Sequence, residues 1–486
     1  MKVAFLSSEV FPFAKTGGLA DVSSSLPKAL AKLGCDIKIF MPKYSSIDEK
    51  KYQLKFIESI KIPITVADNI RNAFLHKATL PGSDVEVIFV DCPYYFSRGT
   101  IYTNDTDEDE RFILFNKAVA EIILHLDWIP DIIHCNDWQT GLIPFYIKNN
   151  YGSNARFQKT KTVFTIHNIG YQGVFPAGSF YKAEIEADSV NNVDPKPSSK
   201  LSFMKTGLLF SDTINTVSKT YSHEIKTPEY GAGMEIILKK KKGSLHGILN
   251  GIDYSEWNPL TDENIPFHFN VKSIDSKKRN KKYLLERFNL KYDDTIPLIG
   301  IVSRMVKQKG LDIVAECMDE LMKLNAQLVV LGSGEDEYED LFRSLSYSYP
   351  DKVANYIGYN NELAHLIEAG ADIFLMPSHY EPCGLNQLYS LRYGTVPVVR
   401  KTGGLADTVK DWSKSKNSKG KSGTGFSFND YSAEALLEAV KRAIDTFHDK
   451  KAWQKIQENG MKQDFSWEQS GKDYIKLYES TLNKKT

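Results

Sequence analysis

The 486-residue chain has no charge of either sign to spare, since 61 Lys and Arg stand against 61 Asp and Glu. With no net field there is no electrostatic footprint for nucleic acid or for an anionic membrane, and neither is expected as a partner. Cysteine is scarce as well: Cys35, Cys92, Cys135, Cys317 and Cys383 are scattered, with no Cys-x-x-Cys pair. That pattern fits neither a zinc ribbon nor a disulfide framework, and it suits reduced thiols in a cytoplasm. Long apolar runs are missing too, and the opening MKVAFLSSEV holds a stretch too short for a signal peptide or a membrane span. What remains is an ordinary globular composition, 42% hydrophobic and 25% charged, at a length that calls for two or three domains.

The apolar segments alternate with helical periodicity. KVAFLSS reads as a buried parallel strand, and Leu19, Val22, Leu26, Leu30 and Leu33 then recur at helical spacing up to Gly34. CDIKIFMP, VEVIFVDCP, DIIHCNDW and KTVFTIHNIG repeat the strand-to-loop pattern, and IPLIGIVSR, AQLVVLGSG, VANYIGY, ADIFLMPS and TVPVVRK repeat it again further on. The polar, turn-rich stretch NGIDYSEWNPLTDENIPFHFN separates the two series. The expected fold class is therefore α/β, with two Rossmann-like, doubly wound parallel-sheet domains facing each other across a cleft that the strand-end loops line. Residues 1–250 form the first, 251–460 the second, and 461–486 a final helix.

Several strand-to-loop junctions carry chemistry. KTGGLADV at Lys15–Val22 returns as KTGGLADT at Lys401–Thr408. In the first copy a loop lets Lys15, Gly17 and Gly18 approach an anion at a helix start, and phosphate is the natural guest. The second follows TVPVVR directly, so its glycines are expected to serve close chain passage. SRMVKQKGLD places Arg304 and Lys309 where two cations can neutralise a diphosphate leaving group. No D-x-D pair adjoins a strand end, so neither a metal nor a cofactor is expected. PSHYEPCGLNQL sets Glu381 after a strand, suited to sugar hydroxyls or a developing oxocarbenium ion, with the amides of Cys383, Gly384 and Leu385 beyond it. His167 and Asp137 end two strands of the first half and are suited to holding hydroxyls.

The acidic run NDTDEDER, the basic runs LKKKKG and SKKRNKK, and the insert DWSKSKNSKGKSGTG are read as solvated surface, the insert as a mobile loop. The GSG of Gly332–Gly334 lacks the rest of a dinucleotide fingerprint.

Taken in order, KTGGLADV, HNIGYQG, NGID, SR…QKG, EPCGLNQLY and RKTGGLADTV resemble the bacterial glycogen synthase and starch synthase family over nearly the whole chain. The resemblance implies a GT-B fold with a C-terminal helix, here DFSWEQSGKDYIKLYESTL, returning to the first domain. It implies transfer of glucose from ADP-glucose to the non-reducing 4-hydroxyl of an α-1,4-glucan, with retention and without metal. Lys15 and Gly18 then match the donor-diphosphate loop, Arg304 and Lys309 the phosphate-binding cations, and Glu381 the acid at the sugar ring. His167 and Asp137 match residues lining the glucose site, Tyr359 the aromatic on adenine, Asn250 a cleft residue, and Tyr95 a cleft tyrosine. Related retaining enzymes carry a second glutamate eight positions after the first, whereas this chain has Tyr389. Two alternatives stand beside this reading: a UDP-sugar transferase on the same fold, and an inactive glucan-binding scaffold.

Overall fold

The computed structural model describes residues 1–412 and 422–484, so most of the Lys/Ser/Gly-rich insert lies outside the described residues. The chain divides into two compact units, Met1–Gly251 with Trp467–Thr486, and Ile252–Ser466. Residues 461–466, grouped in the sequence with the final helix, thus belong to the second unit.

In the first unit the strands are β1 (Lys2–Leu6), β2 (Asp36–Pro42), β3 (Lys55–Val66), β4 (Asn69–Thr79), β5 (Glu86–Asp91), β6 (Ile132–Asn136) and β7 (Lys161–Ile166). A short antiparallel ribbon, β8 (Val174–Phe175) with β9 (Leu201–Ser202), precedes β10 (Thr213–Thr216) and β11 (Leu245–Gly247). The nine-stranded sheet runs β11-β10-β7-β6-β1-β2-β5-β4-β3. From β11 to β5 all pairings are parallel, and β6 is buried along its whole length, as a strand covered on both faces must be. The edge hairpin of β3 and β4 is antiparallel and escapes the sequence pattern. Its turn has no Asn-Gly or Asp-Gly signal; Ala67 takes the left-handed conformation instead, at φ 52°.

The second unit holds β12 (Leu298–Val302), β13 (Gln327–Gly332), β14 (Val353–Ile357), β15 (Ile373–Met376), β16 (Val396–Arg400) and β17 (Phe426–Phe428). They form one sheet in the order β14-β13-β12-β15-β16-β17, parallel throughout. Each sheet has a point where the strand order reverses, between β1 and β6 in the first and between β12 and β15 in the second. Loops leaving neighbouring strands diverge there, and the crevice they open is the usual ligand position in such folds.

The charge runs are solvated surface only in part: residues 104–106, Lys239, Lys240, Lys242, Lys278, Arg279 and Lys282 are exposed, while other members are drawn inward. In NDTDEDER, Glu108 and Asp109 are buried in the first turn of the helix Glu108–His125, and fully buried Arg111 meets Glu108 at 2.6 Å. Arg98 binds Asp105 at 2.8 Å and also pairs with Asp107. In the basic runs, Lys241 donates to the Leu209 carbonyl at 2.7 Å, and burial pushes its ammonium down to about 8. Buried Lys277 donates to the carbonyls of Glu368 and Ala369 at 2.9 and 2.8 Å. These lysines cap helix ends whose last carbonyls lack intrahelical partners.

The helix Trp467–Leu482 belongs to the first unit and buries Trp467, Tyr474, Leu477 and Tyr478. Tyr478 OH lies 2.7 Å from Nδ1 of His134 on β6, and Asn215 on β10 donates to Tyr474 OH at 3.1 Å. Gly471 permits this approach, since a Cβ there would sit 2.9 Å from Leu33. Leu477→Ala should therefore cost about 2–5 kcal/mol, read as a lowered urea midpoint; an unchanged midpoint would show that the helix does not seal this core.

Candidate active site

The loop after β1 wraps around a buried acid that the sequence reading passed over. Glu9 accepts from Thr16 N–H, from Thr16 Oγ1 at 2.7 Å, from Gly17 N–H at 3.2 Å and from Tyr102 OH at 2.6 Å. The Gly17 amide expected to face a phosphate is therefore already given to Glu9. Gly18 opens the helix Gly18–Lys32 and is exposed. Lys15 pairs with Asp21 at 2.7 Å and lies 5.3 Å from the Phe11 ring centroid. Burial raises the Asp21 carboxyl and Lys15 opposes it. The only signal for Glu9 in the sequence was an acid directly after the first strand.

Beyond β6 and β7 the structure brings Asp137 and His167 together. Asp137 sits at φ 55°, ψ −176°, a backbone region essentially left to glycine, and such strain collects at functional sites. Its Oδ1 accepts from the N–H groups of His167 at 2.7 Å and Asn168 at 3.4 Å. Burial pushes the carboxyl up to about 7 despite these donors. Burial also pushes His167 down to about 3, so its imidazole is neutral. Asn136 decides the tautomer: its Nδ2 donates to Leu6 O at 2.8 Å, so Oδ1 accepts from His167 Nε2 at 2.9 Å, leaving Nδ1 as an acceptor.

Asn250 is buried, and its Oδ1 has no hydrogen-bond partner among the described residues. Tyr95 is buried on the short helix Pro93–Phe96, donating to Glu110 at 2.7 Å; none of the hydrogen bonds among the described residues links it to Asp137 or His167.

In the second unit the two loops at the strand-order reversal meet through an ion pair. Lys309, after β12, lies 2.6 Å from Oε2 of Glu381, after β15, and Ser378 Oγ donates to the same oxygen at 3.0 Å. Glu381 is only 6% exposed. Gln308 ties the loops together, donating to Tyr380 O at 3.2 Å and accepting from His379 N–H at 2.9 Å. Arg304 is exposed, 3.4 Å from Gln308. Lys309 and Arg304 are thus unequal cations, the first internally paired and the second open to solvent.

Cys383 is buried, its carbonyl accepting from Gln387 at 3.0 Å, and Gly384 takes φ 71°. With Leu385 they lead into the helix Asn386–Tyr393, tied back to β12 by Asn386 Nδ2 at 2.6 Å from Val302 O. Tyr389, where related enzymes carry a second glutamate, stacks on Trp257 at 3.7 Å and is buried. Tyr359 follows β14 and is 78% exposed, a free-standing aromatic face.

The two octapeptides prove to be different devices. A Cβ on Gly17 would meet nothing within 4 Å, whereas on Gly403 it would lie 1.9 Å from Glu381 O, and on Gly404 1.9 Å from Cys383 O. The Gly404 N–H donates to Glu381 O at 3.1 Å. The second copy therefore packs against the backbone that carries Glu381.

Residues 2–240 match the family model described as "Starch synthase catalytic domain", and residues 284–463 match "Glycosyl transferases group 1". The glycogen synthase of Thermotoga petrophila is 46% identical, with 100% of this chain and 99% of the relative covered. That of Desulforudis audaxviator is 43% identical, covering 100% and 97%. The chain belongs to the glycogen and starch synthase family.

It is accordingly a glucosyltransferase of glycogen or starch synthesis with a GT-B fold. The catalytic domain of starch synthase IV from Arabidopsis thaliana, solved with ADP and acarbose, superposes with a TM-score of 0.91 at 31% identity, covering 99% of both chains. Sucrose-phosphate synthase from Thermosynechococcus elongatus shares the fold at a TM-score of 0.62 and 17% identity, covering 99% and 98%. Among the described residues no helix is long and apolar enough to cross a membrane, and no group of three or more His, Cys, Asp or Glu is placed to hold a metal ion.

Two measurements test this geometry. Gly404→Ala, which must displace the backbone at Cys383, should lower stability by about 1–3 kcal/mol, while Gly17→Ala should stay within about 0.5 kcal/mol. Equal urea midpoints would contradict the two environments. In the folded protein Asp137 keeps a proton that the unfolded chain releases near 3.8, so its contribution is full below that value and lost as pH rises through about 7. The thermal midpoint of Asp137→Asn should therefore fall less than that of the parent between about pH 5 and about pH 8, and parallel curves would assign the titration elsewhere.

Proposed function

We propose that this chain elongates an α-1,4-glucan by transferring glucose from ADP-glucose to the non-reducing 4-hydroxyl, with retention of configuration, without a metal or other cofactor, and with release of ADP. The observation that carries this reading is the Lys309–Glu381 pair at the strand-order reversal, held at 2.6 Å with Ser378 on the same oxygen. A carboxylate so fixed can stabilise positive charge on a sugar ring, and a cation touching it can stabilise negative charge on a leaving group at the same step.

In the proposed reaction the acceptor oxygen bonds to the anomeric carbon on the face that the diphosphate leaves. The carbon–oxygen bond to phosphate breaks with its electron pair going to ADP, and the acceptor's proton passes to that departing oxygen. Glu381 stabilises the oxocarbenium-like ring, while Arg304, Lys309 and Lys15 neutralise the diphosphate. A covalent double displacement would need a second carboxylate, and Tyr389 occupies that sequence position with its ring stacked on Trp257.

Asp137 and neutral His167 are suited to glucose hydroxyls, since one offers an acid proton near pH 7 and the other an imidazole acceptor. Tyr359 offers a stacking face for adenine, Asn250 a buried acceptor for donor groups, and Gly18 with the Cys383–Leu385 turn completes the diphosphate surroundings. The starch synthase IV domain solved with ADP and acarbose supports both the nucleotide and the glucan-like ligand class. A reducing cytoplasm suits the five free cysteines.

The test is glucose incorporation from ADP-glucose into glycogen in EDTA, beside a UDP-glucose control. The parent should work without added metal and prefer ADP-glucose, and Glu381→Gln should lose roughly 10²–10³-fold in turnover. Equal use of UDP-glucose would replace the donor assignment, dependence on metal would remove the metal-free mechanism, and near-normal turnover of Glu381→Gln would sink the role of the acid.

A further inference from the structure

Glu9 has no part in the reaction just described, yet it is among the most heavily bonded carboxylates of the first unit. It is 3% exposed and accepts from four donors, two of them the N–H groups of Thr16 and Gly17. Tyr102, one of the others, also lies 2.8 Å from Ser8 Oγ, so the carboxylate is braced against the end of β1. Its charge is felt on both sides: beyond the effect of burial, it adds to the rise of Asp21 and of Asp137.

Gly17 is the N-cap of a 15-residue helix, and such an end favours an anion. Here the anion is the protein's own. The chain from Glu9 to Gly17 is closed on itself, pinned at its far end through both the N–H and the hydroxyl of Thr16. Lys15 is the residue next to that pin. A lysine on a loose loop would lose conformational freedom each time it met a phosphate, whereas on a closed loop that ordering is done in folding.

We propose that Glu9 is a positioning residue that fills the helix N-terminus and closes the loop so that Lys15, rather than the Gly17 amide, meets the donor's diphosphate. The proposal rests on the role given to Lys15 above, and its test separates the two. Kinetics with ADP-glucose would compare Glu9→Ala, Glu9→Gln, Lys15→Ala and the Glu9→Ala/Lys15→Ala double variant, with thermal midpoints recorded for each.

Glu9→Ala should lower turnover roughly 10–100-fold with the glucan KM unchanged, and the double variant should be no worse than Lys15→Ala alone. Glu9→Gln should recover most of the loss, because its carbonyl can take the two N–H groups while its amide donates to the hydroxyls of Thr16 and Tyr102. Multiplicative losses in the double variant, or a Glu9→Gln as poor as Glu9→Ala, would overturn the proposal.

A second readout needs no catalysis, and Thr16→Ala can stand in for Glu9→Ala. Acylation of Lys15 by an N-hydroxysuccinimide ester, followed by peptide mass spectrometry, should speed up several-fold in Glu9→Ala, and in Thr16→Ala should that variant alone fold. Unchanged labelling would overturn the proposal whatever the donor proves to be, whereas a parent protein inert toward ADP-glucose but showing the labelling change would leave Glu9 as the loop's anchor and remove the donor reading alone.

Discussion

A parallel sheet sends consecutive crossovers to opposite faces at only one place, where its strand order reverses, and nearly every polar group discussed above answers to that constraint. In the second unit the reversal between β12 and β15 sets the loops of Lys309 and Glu381 side by side, and their 2.6 Å pair follows from the topology. In the first unit the reversal between β1 and β6 does the same for the Glu9–Lys15 loop and for Asp137, with His167 one strand further along. Helices elsewhere in each unit supply burial, and burial turns these groups from surface charges into tuned ones: Asp137 up to about 7, His167 down to about 3.

The repeated octapeptide shows how far identical residues leave their use undecided. Both copies join a strand to a helix, but β1 is followed by a long loop, whereas β16 ends at Arg400, immediately before Lys401. With loop to spare, the first copy holds Gly18 exposed and turns Gly17 toward Glu9. Without it, Gly403 and Gly404 are buried against the carbonyls of Glu381 and Cys383, distances no Cβ would allow. Both lysines are exposed, but only the second copy makes room for the acid loop.

Much of this was legible in the residues, and most of what was not shares one cause. Strand-end placement of Asp137, His167, Arg304, Lys309 and Glu381 followed from apolar runs ending in polar loops, because burial on both faces writes itself into local sequence. Pairings across an irregular loop or between distant segments write no periodicity into the sequence. The bond between Thr16 and Glu9 spans a loop with no periodicity, and Lys309 and Glu381 are 72 residues apart. The buried members of the charge runs were missed for the same reason: Arg98, which pairs with Asp105, and the helix-end carbonyls that accept from Lys277 lie outside the runs. The β3–β4 turn was silent because alanine, not glycine or asparagine, adopts its left-handed position.

Two of the cations assigned to the diphosphate are already paired with carboxylates of their own unit, Lys15 with Asp21 and Lys309 with Glu381. An ammonium without a partner would swing further into solvent, so an internal anion holds its position in the absence of a guest. The partner must not cancel the cation, and the two pairs meet that condition differently. Asp21 meets Lys15 through one carboxylate oxygen, Oδ1 at 2.7 Å, and the Lys15 side chain stays exposed enough to meet a phosphate as well. Glu381 shares its oxygen with Ser378, so part of its negative charge is answered by a hydroxyl and Lys309 need not neutralise it alone. On the proposed reaction the same arrangement serves the transition state: as the diphosphate leaves, negative charge grows toward Lys309 while positive charge grows on the ring beside Glu381. The ion pair is then pulled in opposite senses by the two halves of one breaking bond, which is the condition for a fixed dipole to favour charge separation over the neutral ground state.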